Sequence, residues 1–146
     1  MKWQALNYNY MMATVESGES IEPAMAEFCQ QIKDYVIPRN DGIAWDYLRV
    51  EFWPDSGRMI AFPSSNSISG RIEQAGCLVV FARLRLQYER LADSELEDQE
   101  FVAALHEAER DWITTFLDAA RQVSLTGYRF QFWDGDGESP IWNGCL

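Results

Sequence analysis

The sequence predicts an α+β fold, a two-layer sandwich of an antiparallel sheet packed against about three helices. Three observations carry this. Residues 47–62 alternate in period two around the turn Pro54-Asp55-Ser56-Gly57. A long apolar stripe of helical period runs from Phe101 to Val123. A second period-two run, Tyr128–Trp133, follows Gly127. Helices grouped between strands, rather than alternating with them, favour α+β over α/β. The chain has 146 residues. That suits one hydrophobic core, so residues 1–146 read as a single domain, with 134–146 as a C-terminal hairpin or tail.

In chain order, residues 3–12 alternate aromatic and polar groups (Trp3, Tyr8, Tyr10) and read as an edge strand. Ser17-Gly18-Glu19-Ser20 is a loop, Ser20 an N-cap and Pro23 a first-turn proline. Met25, Phe28, Ile32 and Tyr35 or Val36 then recur at helical spacing, and Pro38 ends that helix. Leu48, Val50 and Phe52 share one strand face, with Arg58–Phe62 as the return strand. Residues 63–70 read as a loop, and 71–76 as a short strand or the approach to a helix. Over 77–91 two signals compete. Val79, Val80 and Phe81 favour a strand, whereas Cys77, Phe81, Leu84, Tyr88 and Leu91 step at helical intervals. The spacing favours a helix. Ser94-Glu95-Leu96-Glu97 reads as a capping box for the next helix. Its stripe is Phe101, Leu105, Ala108, Trp112, Phe116, Ala119 and Val123. Asp134-Gly135-Asp136-Gly137 is a turn, and Ile141-Trp142 a short final strand.

The formal net charge is −11, and hydrophobic residues make up 47% of the chain. The hydrophobic fraction argues against global disorder. The charge argues against nucleic-acid and anionic-membrane partners, which repel an acidic surface. The acids are concentrated: Asp93, Glu95, Glu97, Asp98, Glu100, Glu107, Glu109 and Asp111 face only Arg110 within residues 93–111. At about 100° per residue, Glu100, Glu107, Asp111 and Asp118 fall within about 40° of one another on the long helix. They form a candidate acidic ridge beside the apolar stripe, suited to fast, salt-sensitive docking of a basic surface. A solvated helix face is the plainer alternative. Asp134 and Asp136 are possible additions to the binding edge. With Glu138 they resemble the start of a calcium loop, but Cys145 stands where such a loop needs its final Glu. A glycine-rich hairpin turn fits better.

His106 is the only histidine. It falls at the margin of the apolar stripe and reads as a boundary residue. No hydrolase, metalloprotease, phosphate-loop or dinucleotide motif is present. One histidine and three scattered cysteines (Cys29, Cys77, Cys145) argue against a His/Cys metal site. No metal and no cofactor is expected. Carboxylate-only catalysis stays open, because paired acids can meet anywhere in space. Cys29 and Cys77 lie in apolar stripes and read as buried, inert thiols. An odd count without C-x-x-C spacing suits a reducing cytoplasm. Neither a signal core nor a membrane-length apolar run is expected. Trp53 and Trp133 fall opposite the apolar faces of their strands, so that sheet face either presents aromatics or is covered by a further layer, such as the N-terminal segment.

The succession of elements resembles the YezG-type immunity proteins of bacterial polymorphic-toxin systems. The resemblance rests on a leading amphipathic helix, then Trp45-x-Tyr47-Leu48-Arg49-Val50-Glu51-Phe52-Trp53 with the Asp55-Ser56-Gly57 turn. A helical half with Trp112 near its middle follows, and then Gly127-Tyr128-Arg129-Phe130-Gln131-Phe132-Trp133-Asp134. It spans roughly residues 20–136 and carries over no binding residues. It implies a protein that binds and neutralises a cognate toxin, often a nuclease, without catalysis.

The expected function is therefore a stoichiometric inhibitor of a basic protein, such as a toxin. The chain itself is expected to be a monomer or weak homodimer. The alternative is a small-molecule-binding domain or small enzyme with an aromatic-lined pocket. A self-assembling accessory subunit is a third possibility.

Overall fold

The computed structural model describes residues 1–65 and 75–146. Seven strands form one sheet: β1 (Gln4–Ala5), β2 (Tyr10–Val15), β3 (Tyr47–Trp53), β4 (Arg58–Ser64), β5 (Gly76–Phe81), β6 (Arg129–Asp134) and β7 (Trp142–Cys145). Their spatial order is β1-β2-β5-β4-β3-β6-β7. The helices are α1 (Ile21–Gln31), α2 (Ile37–Arg39), α3 (Ala82–Asp93) and α4 (Asp98–Gln122), with a π-helical turn at Ile32–Val36 joining α1 to α2. The expected α+β class holds, with helices against a sheet. The sheet is mixed: β2 pairs with β5 and β3 with β6 in parallel, while the other neighbours are antiparallel. Among the described residues no helix is long and apolar enough to cross a membrane.

Alternation sets the core. Leu48, Val50 and Phe52 on β3, Met59 and Ala61 on β4, Cys77, Val79 and Phe81 on β5, and Phe130 and Phe132 on β6 are all fully buried. They meet Met25, Phe28, Ile32 and Val36 from the first helical segment and Trp112, Ile113 and Phe116 from α4. Phe116 packs edge-on against Phe28, Phe130 and Phe132. Burying such rings is worth about 1.5–3 kcal/mol each.

Several local expectations are corrected. Residues 77–81 are strand, and the helix starts at Ala82. Parallel pairing with β2 and antiparallel pairing with β4 make this run a central strand, buried except for half-buried Val80, so β-branched propensity prevails over helical spacing. The first helical segment passes Pro38 and ends at Arg39. The π turn just before Pro38, closed by the Ile37 N–H on the Ile32 carbonyl, shifts the helical phase, so Val36 is buried and Tyr35 only half-buried. Ser94 makes no capping box; its hydroxyl donates to the Leu91 carbonyl at the end of α3, and α4 opens at Asp98 without a side-chain cap. Pro63 and Ser64 extend β4, and the final strand begins at Trp142. The segment expected over 71–76 lies outside the described residues up to 74.

The β3–β4 turn depends on Gly57. Its φ is +76°, and a Cβ there would sit 2.4 Å from the Phe81 carbonyl oxygen. That closeness lets the Gly57 carbonyl accept the Phe81 N–H at 2.7 Å and ties the hairpin to the start of α3.

Candidate functional site

On the sheet face turned away from the described helices, side chains of neighbouring strands pack on one another. The Arg49 guanidinium lies 3.9 Å above the Trp133 ring and donates to Glu51 at 2.7 Å, and Trp53 Nε1 donates to Glu51 at 3.2 Å. Trp133 Nε1 donates to Gln131. Trp53 and Trp133 are half-buried. The N-terminal segment does not form a second layer over them; it joins the sheet as β1 and β2.

The four ridge residues Glu100, Glu107, Asp111 and Asp118 are all exposed on α4. Asp118 pairs with Arg121 at 3.2 Å. Among the described residues the other three have no ion pair. The buried side of α4 is centred on Phe116 and Ile113 rather than on Phe101, so the ridge lies nearly opposite the core, not beside it. Asp136 is exposed in the β6–β7 turn, and Asp134 is half-buried beneath the other side of α4. The structure therefore does not bring Asp134 to the ridge.

It brings Asp134 to Glu109 and His106 instead. Phe130, Phe132 and Asp134 share the helix-facing side of β6, so the acid continues the row of core phenylalanines. Above it, Glu109 occupies the centre of the buried face of α4, at about 80° on a wheel with Phe101 at zero. It is 0% exposed. His106, three residues earlier, is on the same side of the helix and half-buried. One ligand atom from each of the three residues lies within 4.8 Å of the others.

The electrostatics of Glu109 are unusual. Neither carboxylate oxygen receives a hydrogen bond from a described N–H or hydroxyl. Its neighbour, the Asp134 carboxylate, can only share a proton with it. Burial, then the Asp134 charge and a hydrogen bond to that carboxyl, push the Glu109 carboxyl up to about 9. Asp134 is better held: its Oδ1 accepts the Asp136 N–H at 3.1 Å. The turn after it is anchored where the Gly135 N–H donates to the Phe52 carbonyl at 2.7 Å.

Sequence reasoning missed Glu109 by counting it with the surface acids. The same helical wheel that groups the ridge puts Glu109 among Trp112, Phe116 and Ile113, and an acid there is the signal. A lone histidine gives no sign of metal ligation in the sequence, because Asp134 meets His106 and Glu109 only in the fold. Cys29 and Cys77 are buried, and burial pushes both thiols up, as expected of inert cysteines. Hollows of about 190 and 330 Å³ border α3, lined by Arg83 and Gln87 with Asp111, Trp112 and Thr115 in one and with Ser17, Leu86 and Arg90 in the other. Trp112 is the one aromatic ring among the residues named for these two hollows, and neither hollow involves the buried trio.

The chain matches no protein-family model, no curated protein sequence and no solved structure.

Proposed function

We propose that the protein is a small-ligand-binding domain, or a small enzyme built on such a site, with His106, Glu109 and Asp134 as its working groups. The single observation that carries this reading is Glu109, wholly buried with no donor on either oxygen among the described residues. An acid so placed works against folding, and an apolar residue of similar volume would serve the core better. Local conflicts of this kind concentrate where a ligand is handled. The surrounding chemistry, two carboxyls and an imidazole that pair with no Lys or Arg among the described residues, asks for a ligand carrying positive charge.

The test is thermal unfolding of the full chain and of Glu109→Gln with a panel of small cations, both divalent metal ions and small organic ammonium compounds. At least one ligand raises the wild-type Tm by several degrees and leaves Glu109→Gln unmoved. If no ligand separates the two proteins, Glu109 is a structural acid and the reading is wrong.

A second reading keeps the inhibitor function. Its support is the exposure of all four ridge acids, three of them without a described cationic partner. On this reading α4 docks a basic protein such as a toxin. Glu107→Lys/Asp111→Lys then slows association with a basic toxin tenfold or more at low salt. Equal rates for variant and wild type rule the ridge out.

A further inference from the structure

We infer that His106, Glu109 and Asp134 form a binding site for one first-row divalent transition-metal ion. This rests on the ligand-site reading above and names the occupant.

Charge is the first argument. With both carboxyls deprotonated and the imidazole neutral, the three side chains carry two negative charges. Among the described residues no Lys or Arg forms an ion pair with Glu109 or Asp134. A divalent cation neutralises the group, which is the condition for holding two carboxylates in an apolar setting. A monovalent ligand leaves one charge uncompensated.

Geometry is the second. Three donor atoms no more than 4.8 Å apart can all lie within about 2.8 Å of a common centre. Metal bonds to imidazole nitrogen and carboxylate oxygen are about 2.0–2.2 Å. Closure therefore asks for well under 1 Å of movement per ligand, within the reach of a half-buried histidine. His106 and Glu109 are one helical turn apart on α4, a rigid element, and the backbone N–H of Asp136 orients the Asp134 carboxylate from outside.

The donor set is the third. Calcium takes about six to eight oxygen ligands, and magnesium keeps most of its waters. One imidazole with two carboxylates suits Zn²⁺, Fe²⁺, Co²⁺ or Ni²⁺. Three protein donors leave room for water or a substrate atom on the ion, the arrangement of open rather than purely structural sites.

The experiment is titration of metal-stripped full-length protein with Zn²⁺ against a chromophoric chelator, with Co²⁺ absorption reporting coordination. One ion binds per chain, with a micromolar or lower Kd, and neither Ca²⁺ nor Mg²⁺ competes at equal concentration. His106→Ala and Asp134→Asn each weaken Zn²⁺ binding at least tenfold, as does Glu109→Gln, which keeps the side chain's shape. Asp98→Asn, an exposed acid at the start of α4, and Cys145→Ser, at the one exposed thiol, leave it unchanged. Zn²⁺ binding that survives both His106→Ala and Asp134→Asn overturns the proposal, as does no binding below millimolar concentration. If Zn²⁺ fails while an organic ammonium ligand still gives a Glu109-dependent Tm shift, the metal is wrong and the ligand site stands. If neither binds, both fall.

Discussion

Gly135 lies flat against the Trp53 indole: a Cβ on Gly135 would come within 2.4 Å of two ring atoms, Cδ2 and Cε2, and 2.7 Å of Cε3. The ring cannot simply swing away, because its Nε1 donates to the buried Glu51. Gly135 directly follows Asp134, so this contact sets where the β6–β7 turn leaves the sheet. Gly135→Ala must displace one or the other. Overpacking of this kind costs about 1–3 kcal/mol, read by urea unfolding. Trp53→Leu in the same chain recovers a substantial part of the loss, with a coupling above about 0.5 kcal/mol. Additive costs for the two substitutions would show that the contact does not constrain the turn.

The long helix was legible because it buries one face only, so its apolar period survives in the sequence. The β3–β4 hairpin is buried on both faces and was legible because Arg49 and Glu51 alternate with Leu48, Val50 and Phe52 ahead of the turn Pro54-Asp55-Ser56-Gly57. β5 was not, because it carries apolar residues on both faces, with no polar residue to mark alternation, and reads as a bare apolar run. Its Cys77, Phe81 and Leu84 then imitate a helix. The parallel pairings of β2 with β5 and β3 with β6 join segments far apart in the chain, and no local pattern announces them. The ridge was legible and remains on the surface. The buried trio was half legible: Glu109 and His106 share a helix face that a wheel displays, whereas Asp134 arrives from a strand, and only the fold brings it in.

Asn40 is a fully buried polar residue with every visible role local to the fold. Its side-chain amide donates to the Val36 carbonyl at 2.7 Å and the Ala75 carbonyl at 3.0 Å, and its Oδ1 accepts the Ala75 N–H at 3.3 Å. It thereby ends the first helical segment and fastens it to the start of β5. Asn40→Ala orphans these three backbone groups and costs about 2–4 kcal/mol, since an unsatisfied buried group costs about 1–3. Chemical denaturation measures this, and metal affinity at the distant trio stays unchanged. A loss below 0.5 kcal/mol would mean that water replaces the amide.

Ser124 closes α4 with φ at +58°, the one described non-glycine residue in the left-handed region. The Leu125 N–H behind it returns to the Ala120 carbonyl at 2.8 Å. This is the position where helices favour glycine. Ser124→Gly removes the Cβ penalty of about 1 kcal/mol, partly offset by the greater freedom of glycine in the unfolded chain. The expected result is a Tm raised by one to a few degrees in calorimetry. A lowered Tm would show that the serine hydroxyl contributes more than the backbone strain costs.

Glu109 makes the stability of the metal-stripped protein depend on pH in an unusual direction. Its carboxyl titrates near 4.5 in the unfolded chain and near 9 in the folded one. Between these values the native state holds more protons than the unfolded state, so stability falls as pH rises. The contribution is fully favourable below pH 4.5, declines by up to about 1.4 kcal/mol per pH unit, and levels off above 9. The groups facing it are Asp134 from β6 and His106 from its own helix. Other carboxylates also titrate at the acid end, so the quantity to measure is the difference between wild type and Glu109→Gln. Urea unfolding from pH 5 to 9, with chelator present, should show Glu109→Gln gaining on wild type at every step. Saturating Zn²⁺ should flatten the wild-type decline, because the ion takes the place of the proton. A pH-independent difference between the two chains would mean that Glu109 ionises in the folded protein much as it does in the unfolded one.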